Sequence, residues 1–404
     1  LPASHAKAEH DDMDSFMQEF ADLQGCDASF PREEFAARQD RARAAIRNAG
    51  HEALVVTGPE NIYWLTGRQT AGYFAFQALI MPVNGQPTLL VRQLELAGSI
   101  ANTWLDDVVA YQDGGNPAVA LVDLLKKRHI ERPAIELDGW FVSPVLAAKI
   151  AEQMGVASIP DGSSILSPLR TIKSAAELEA IRLAAGYTEA GLSAGIAACA
   201  AGTDENAIAA AMLDAATRAG SEVMAMEPLV SSGPRSGLPH MTWRRRKLEN
   251  GDAVFLELAA CHARYHAALM RTVWIGSPPA EARRMMDCAL KALDAALAAI
   301  RPGVSCAEPH EAAQRVIDAA GYNAAFRKRI GYSMGTAFAP DWGEGALLSL
   351  FTGVDRIIEP GMVFHLPATL RSYGVWTVGA SETVIVTETG AEPLSSLPRD
   401  LTIR

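Results

Sequence analysis

The run Gly251-Asp252-Ala-Val-Phe-Leu-Glu257-Leu-Ala-Ala-Cys261, continued by His262-Ala-Arg-Tyr265-His266 and closed by Arg271-Thr272, sets the reading of the whole chain. Val254, Phe255, Leu256 and Leu258 describe a buried strand, and a single carboxylate, Glu257, interrupts them. With the period of two that a strand imposes, Glu257 shares a face with Phe255 and Ala259, while Val254, Leu256 and Leu258 take the other. A carboxylate in such a run is costly to bury unless it is paired or employed. Spacing leaves both readings open: Glu257 faces solvent or meets an arginine, or it does chemistry.

Just upstream, Pro239-His240-Met-Thr-Trp243 adds an imidazole, a group that titrates near neutral pH. Arg244, Arg245, Arg246 and Lys247 form a basic run that reads as a solvated loop or as a capture point for a substrate carboxylate. Outward from this stretch lie alanine-rich helices (about 175–200, 204–219 and 280–300) and β-rich segments near 252–276 and 360–387. Helices and strands segregated in this way indicate an α+β domain. The stretch Leu166 to Ala175 leads into it, so the chain is divided into an extension (1–30), a smaller mixed α/β domain (31–168) and the α+β domain (169–404). In the middle part an amphipathic helix from Pro31 to about Gly50 precedes a strand at Ala53–Thr57, with Gly58-Pro59-Glu60-Asn61 as its turn. Strands at Gln77–Pro82 and Pro87–Val91 flank the hairpin signal Asn84-Gly85, and a helix (Ala118–Lys127) and a strand (Pro133–Glu136) follow.

Composition excludes several classes. With 404 residues, 49% hydrophobic and 21% charged, the chain is neither disordered nor fibrous. Its 36 Lys+Arg against 47 Asp+Glu give a net charge of −11, which argues against nucleic acid as a partner. Cys26, Cys199, Cys261, Cys288 and Cys306 form no CxxC pair, as expected in a reducing cytoplasm. No apolar run approaches the roughly 20 residues of a spanning helix, so no membrane is expected. Leu1 to Phe30, acidic and polar, reads as a tail rather than a signal peptide.

Glycine-aspartate before a β run, the carboxylate, the closing Arg-Thr and the upstream histidine resemble the creatinase/prolidase, or pita-bread, family. Further marks agree: Asn61-Ile-Tyr-Trp-Leu-Thr-Gly67, Arg170-Thr-Ile-Lys173-Ser-Ala-Ala-Glu177, Glu359-Pro-Gly361-Met-Val-Phe364 and Ser381-Glu382 through Glu388-Thr-Gly390. The resemblance spans about Phe30 to Arg404 and implies a C-terminal pita-bread domain behind a creatinase-like N-terminal domain. The metallopeptidases of that family hold two metal ions with two Asp, one His and two Glu. The corresponding positions here carry Glu257, Ala268, Tyr332, Leu366 or Pro367, and Ser381. A dinuclear site needs several oxygen and nitrogen donors on each ion, so no metal and no other cofactor is expected.

Within the family the chain is most similar to the metal-free ectoine hydrolase branch. His240-Met-Thr-Trp243, Phe255 to Cys261, Arg264-Tyr265-His266, Gly331-Tyr332, Pro340-Asp341-Trp342-Gly343-Glu344 and Phe364-His365 carry that likeness. It departs from the branch at Leu366–Arg371 and at Ala71-Gly72-Tyr73-Phe74, where the resemblance places the walls of a substrate pocket. The implied activity is metal-independent hydrolysis of a C–N bond in a small cyclic amidine or amide, ectoine or 5-hydroxyectoine being the first candidates. A metal-dependent Xaa-Pro aminopeptidase or dipeptidase, a lyase of the superfamily, and a non-catalytic interaction module are the competing readings.

Such a reaction needs a nucleophile or activated water, a proton shuttle and fixed groups that hold the substrate. By resemblance Glu257 is the nucleophile or general base and His240 the acid/base; His266 is a second shuttle or holds Glu257 in place. Glu382 is a catalytic partner of Glu257 or an exposed strand-end carboxylate. Asp341 and Glu344 bind a cationic amidinium or are ordinary loop acids, and Trp342 covers the substrate by a cation–π contact or packs beneath the loop. Tyr332 and His365 complete the substrate-binding set. Tyr73 and Phe74 reach the site of a neighbouring subunit if the protein is a creatinase-like homodimer.

Overall fold

The computed structural model describes residues 20–404; the reading of Leu1 to Glu19 as part of a tail lies outside the described residues. The chain divides into two compact units, with the break between Leu169 and Arg170.

The first unit is built on a five-stranded mixed sheet of β1 (Ala53–Val56), β2 (Ala78–Pro82), β3 (Thr88–Arg92), β4 (Val108–Tyr111) and β5 (Pro133–Ile135), in the order β4-β3-β2-β1-β5. Strand alternation sends Leu54, Val56, Leu79 and Met81 to one face, against Ala42 and Ile46 of helix Arg32–Asn48. Val55, Ala78 and Ile80 go to the other, against Leu121 and Leu125 of helix Pro117–Lys127. The turn expected at Gly58-Pro59-Glu60-Asn61 is instead the start of a helix, Pro59–Thr66. Pro59 supplies a preset φ where the first helical N–H has no partner to lose. Gly67, at φ 84°, ends that helix in the left-handed region.

In the second unit, β6 (Leu229–Ser232), β7 (Ala253–His262) and β8 (Tyr265–Trp274) are joined by a later strand to form a four-stranded sheet. A second sheet holds β9 (Gly331–Ser333), β10 (Ser349–Leu350), β11 (Val363–Ser372), β12 (Trp376–Val386) and β13 (Ala391–Pro393); β14 (Thr402–Ile403) is the strand that closes the first one beside β8. Two ten-residue antiparallel ladders, β7–β8 and β11–β12, form the frame of the unit.

Each hairpin is apolar on its helix-covered face apart from the Arg271–Glu382 ion pair. Val254, Leu256, Leu258 and Ala260 pack against Leu192, Ile208 and Met212 of helices Ala175–Ala198 and Glu205–Ala219. Phe364, Leu366, Ala368, Val378 and Val384 pack against Met286, Ala289 and Leu293 of helix Ala280–Ala299 and Ile317 of helix Ala307–Ala319. Helix Ala175–Ala198 starts in a capping box of Ser174 and Glu177. Glu177 is buried rather than solvated, since its other oxygen accepts from the Tyr265 hydroxyl at 2.6 Å.

Side chains stitch the hairpins together. Thr272 Oγ1 donates to Gly379 O (2.9 Å), Thr383 Oγ1 donates to Ala268 O (2.7 Å), and Met270 N donates to Ser381 Oγ (2.7 Å). Gly379 sits at φ 147°, and a Cβ there would come within 2.1 Å of Ala368 O, so this crossing requires glycine. Among the described residues no helix is long and apolar enough to cross a membrane.

Candidate active site

The faces of β7, β8, β11 and β12 turned away from the helices carry the site. Cross-strand register places Glu257 opposite Met270, and His365 opposite both Thr383 and Tyr332. Alternation along β11 keeps His365, Pro367, Thr369 and Arg371 on one face and sends Leu366 into the helix-side core. Pro367, not Leu366, therefore occupies the ligand position that the sequence left between them.

Glu257 is 7% exposed, and its carboxylate accepts no hydrogen bond from any described residue. Burial pushes it up to about 7, against the pull of Lys328 and Arg371. Lys328 is pushed down to about 7 by burial and by Arg371, against the pull of Glu257, and its ammonium donates to Pro367 O at 2.6 Å. Arg371 is also lowered, chiefly by burial, with Glu257 opposing. The carboxylate and the two cations influence one another without touching.

Beside them runs a hydrogen-bonded chain. Trp342 Nε1 donates to Tyr332 Oη (3.0 Å), which shares a bond with His365 Nδ1 (2.9 Å). His365 Nε2 shares a bond with Ser381 Oγ (2.8 Å), which accepts from Met270 N. Burial, with Lys328 and Arg271, pushes His365 down to about 3, so the ring is neutral and carries one N–H. Trp342 N–H, Tyr332 O–H, His365 N–H, Ser381 O–H and Met270 N–H are then five hydrogens for four bonds. One hydroxyl hydrogen, on Tyr332 or on Ser381 according to the tautomer of His365, has no acceptor among the described residues. The Tyr332 ring lies under the Arg329 guanidinium (4.8 Å), and burial together with the Glu257 charge raises its hydroxyl above the usual phenol range.

Other expected site residues are placed elsewhere. Glu382 pairs with Leu366 across the ladder and so turns to the helix side, where Arg271 (3.0 Å) and Arg399 (2.9 Å) bind its Oε1. It is neither exposed nor a partner of Glu257. The Nδ1 of His266 meets Arg264 O at 3.0 Å and its Nε2 accepts from Ala225 N at 3.1 Å. Burial and Arg264 push His266 down to about 3, so this neutral ring is fixed by the main chain at both nitrogens and has none left for proton transfer. His240 is exposed at φ 56°, and no hydrogen bond, ion pair or ring contact brings it to Glu257.

Asp341 is exposed and accepts from Gly343 N (2.9 Å), an Asx turn that shapes the loop carrying Trp342. Glu344 is buried between Arg170 (2.6 Å) and Lys173 (2.8 Å). Burial raises its carboxyl, but Lys173 and Arg170 prevail and hold it below the usual range. It fixes the strand–helix junction and is not available to an amidinium. Glu344→Ala, which leaves two buried cations without their anion, is expected to cost about 3–5 kcal/mol in denaturant unfolding. Tyr73 and Phe74 belong to the first unit, where Tyr73 meets Phe141 edge-on (6.0 Å) and Phe74 is 76% exposed. In the basic run, Arg246 is clamped to Asp252 (3.0 Å to Oδ1).

A family profile described as metallopeptidase family M24 matches residues 179–388, more than half of the chain, and one described as the creatinase/prolidase N-terminal domain matches 38–172. The chain belongs to metallopeptidase family M24. It is 28% identical over 396 residues to the ectoine hydrolase of Halomonas elongata, covering 93% of this chain and 98% of the relative. It is also 28% identical over 391 residues to the probable dipeptidase PepE of Mycobacterium tuberculosis, covering 93% and 98%. Among solved structures, dipeptidase PepE from Mycobacterium ulcerans superposes with a TM-score of 0.80 at 26% identity, covering 93% of this chain and 99% of that one. The pita-bread fold behind a creatinase-type N-terminal domain is thereby shown.

A family M24 member prompts a test of metal fit. Of Glu257, Ala268, Tyr332, Pro367 and Ser381, one residue is an anionic oxygen donor. Among the described residues no group of three or more His, Cys, Asp and Glu side chains is placed to hold an ion. This donor set does not fit a dinuclear centre.

Sequence reasoning missed Lys328; it met Arg371 only within a stretch that departs from a family pattern, and Ser381 within an agreeing family mark and at a ligand position without its carboxylate. Arg371 was legible in principle, since it continues the His365, Pro367, Thr369 alternation. Lys328, in the loop ahead of β9, leaves no periodic signal.

Proposed function

We propose that the protein is a hydrolase that cleaves a C–N bond in a small cyclic amidine or amide without a metal ion, with ectoine or 5-hydroxyectoine as substrate. The observation that carries this reading is Glu257, a carboxylate without a hydrogen-bond partner among the described residues, buried at a metal-ligand position whose companions carry neither a carboxylate nor an imidazole. Ionised, Glu257 attacks the electrophilic carbon or takes a proton from an attacking water; both uses fit a carboxylate held near 7.

The leaving nitrogen needs a proton, and the Tyr332–His365–Ser381 chain supplies one. The hydroxyl of Tyr332 gives up its hydrogen and receives the Nδ1 hydrogen of His365, whose Nε2 takes the hydrogen of Ser381. The relay belongs to the general-base route, in which the attacking water gives one hydrogen to Glu257 and, as the carbonyl forms, the other to Ser381, and Glu257 then returns its hydrogen to the released amine. The proton count balances, and no step requires a charged imidazole. The ectoine hydrolase relative supports this reading, while the dipeptidase relatives favour a peptidase that would need donors this site lacks.

The test is turnover of ectoine and 5-hydroxyectoine by chelator-treated, metal-analysed protein, with ring-opened acetyl-diaminobutyrate followed by mass spectrometry. Ring opening without metal is the expected result. Verified metal-free, folded protein that opens neither ring discards both substrates, and activity restored by a stoichiometric divalent ion overturns the metal-independent reading.

A further inference from the structure

Three buried cations in the second unit are matched by anions, Arg170 and Lys173 by Glu344 and Arg271 by Glu382, and a fourth, Arg264, is met by Val223 O, Ala337 O and the Phe338 ring. Lys328 and Arg371 have no anion. Neither has a carboxylate within ion-pair distance among the described residues, although both are half-buried. Lys328 Nζ is fixed by a carbonyl, Pro367 O, at 2.6 Å. Arg371 reaches Thr369 Oγ1 at 3.5 Å, and its buried Nε has no acceptor among the described residues.

Their positions are set by the ladder. Pro367, which carries Lys328, lies opposite Ser381; Ser381 accepts from Met270 N; and Met270 lies opposite Glu257. Arg371 is further along the same face of β11. Two cations thus border one carboxylate that they do not contact, leaving an excess positive charge in a half-buried place, an arrangement that costs free energy until an anion joins it.

We propose that Lys328 and Arg371 form a subsite for a carboxylate of the substrate, so that the enzyme acts on carboxylate-bearing amidines or amides and rejects their neutral counterparts. This rests on Glu257 being the reacting group. The guanidinium offers a planar fork and the ammonium a point charge, the combination that holds a carboxylate in one orientation. Anchored there, a small ring would present its C–N carbon toward Glu257 on the neighbouring strand. The same anion is carried by a cyclic amino-acid derivative and by the C-terminus of a dipeptide.

Calorimetric titration of the wild-type protein with ectoine, its carboxamide, pyroglutamate and glycyl-proline tests the subsite and separates these sources. The cyclic acid is expected to bind about 10- to 100-fold tighter than its amide, the worth of one charge-assisted hydrogen bond. Arg371→Met and Lys328→Met should each lose that preference while leaving carboxamide binding within about twofold, less than one such bond contributes. If Arg371→Met fails to fold, Lys328→Met, in the loop before β9, carries the comparison. Tighter binding of glycyl-proline than of either ring assigns the subsite to a peptide carboxylate. Equal affinity for acid and amide, unchanged preference in the variants, or no affinity for any of the three carboxylates overturns the proposal. Ectoine that binds through this subsite and is not opened defeats the reaction reading alone; ectoine that is opened without carboxylate preference defeats the subsite alone.

Discussion

Glu257→Ala and Glu257→Gln are expected to lower kcat by at least about 10³-fold, within the range for removing a positioned general base or nucleophile, with the fold intact. The physical ground is that, among the described residues, Glu257 has no hydrogen-bond partner that either change could break. A melting curve and a circular dichroism spectrum accompany the assay. Retained turnover, within about tenfold of wild type, removes Glu257 from the chemistry, since no general-base role is that small.

The same carboxylate gives a pH signature. Its folded-state value lies near 7 against an ordinary 4.5, so the native state binds the proton more tightly and stability falls as pH rises between those limits. Lys328 lies near 7 against an ordinary 10.5, so stability rises again as pH climbs from 7 toward 10.5. The pair therefore digs a stability minimum near neutral pH. Glu257→Gln should remove the acid-side slope and Lys328→Met the alkaline-side slope in unfolding free energy measured across pH. A site that is least stable where it works is the mark of groups retained for function. Turnover should rise with pH as the pair loses its first proton near 7, and Lys328→Met should move that limb upward, because Lys328 lowers Glu257.

Several of these features were legible in the chain. The Gly251 to Thr272 run yields both strands of the first hairpin, and the period of two assigns Glu257 to the face opposite Leu256 and Leu258. The helices that cover it follow from the alanine-rich segments, and the capping box of Ser174 and Glu177 appears only in the structure. The failures share a cause. Glu382 and Ser381 are adjacent, and so are Leu366 and Pro367; which member of each pair faces the site depends on which face of the β9–β11–β12 sheet is covered by helices Ala280–Ala299 and Ala307–Ala319, which lie apart from these strands in sequence. Glu344 looks like a loop acid until Arg170 and Lys173 are brought to it from across the domain. His266 looks like a shuttle until its second nitrogen is seen to meet Ala225 N. Partners supplied by the main chain or by distant segments leave no local pattern, whereas burial and alternation do.

Tyr332→Phe is expected to lose about 10²- to 10⁴-fold in kcat, the range for general acid–base assistance, with little change in KM. The argument is the hydrogen count: removing Oη takes away the hydroxyl from which the relay delivers its hydrogen, while the ring stays under Arg329. His365→Phe severs the chain at its centre and should lose as much. A packing role would lower stability without changing how many protons move, so the deciding measurement is the rate in mixtures of light and heavy water. Wild type should give a curved dependence on deuterium fraction, because several hydrogens shift together along Tyr332, His365 and Ser381. Tyr332→Phe should give the straight line of a single transfer. Curvature that survives in the variant would show that the proton travels by another route, and the chain beside Glu257 would then be a scaffold that orients Ser381 rather than a relay.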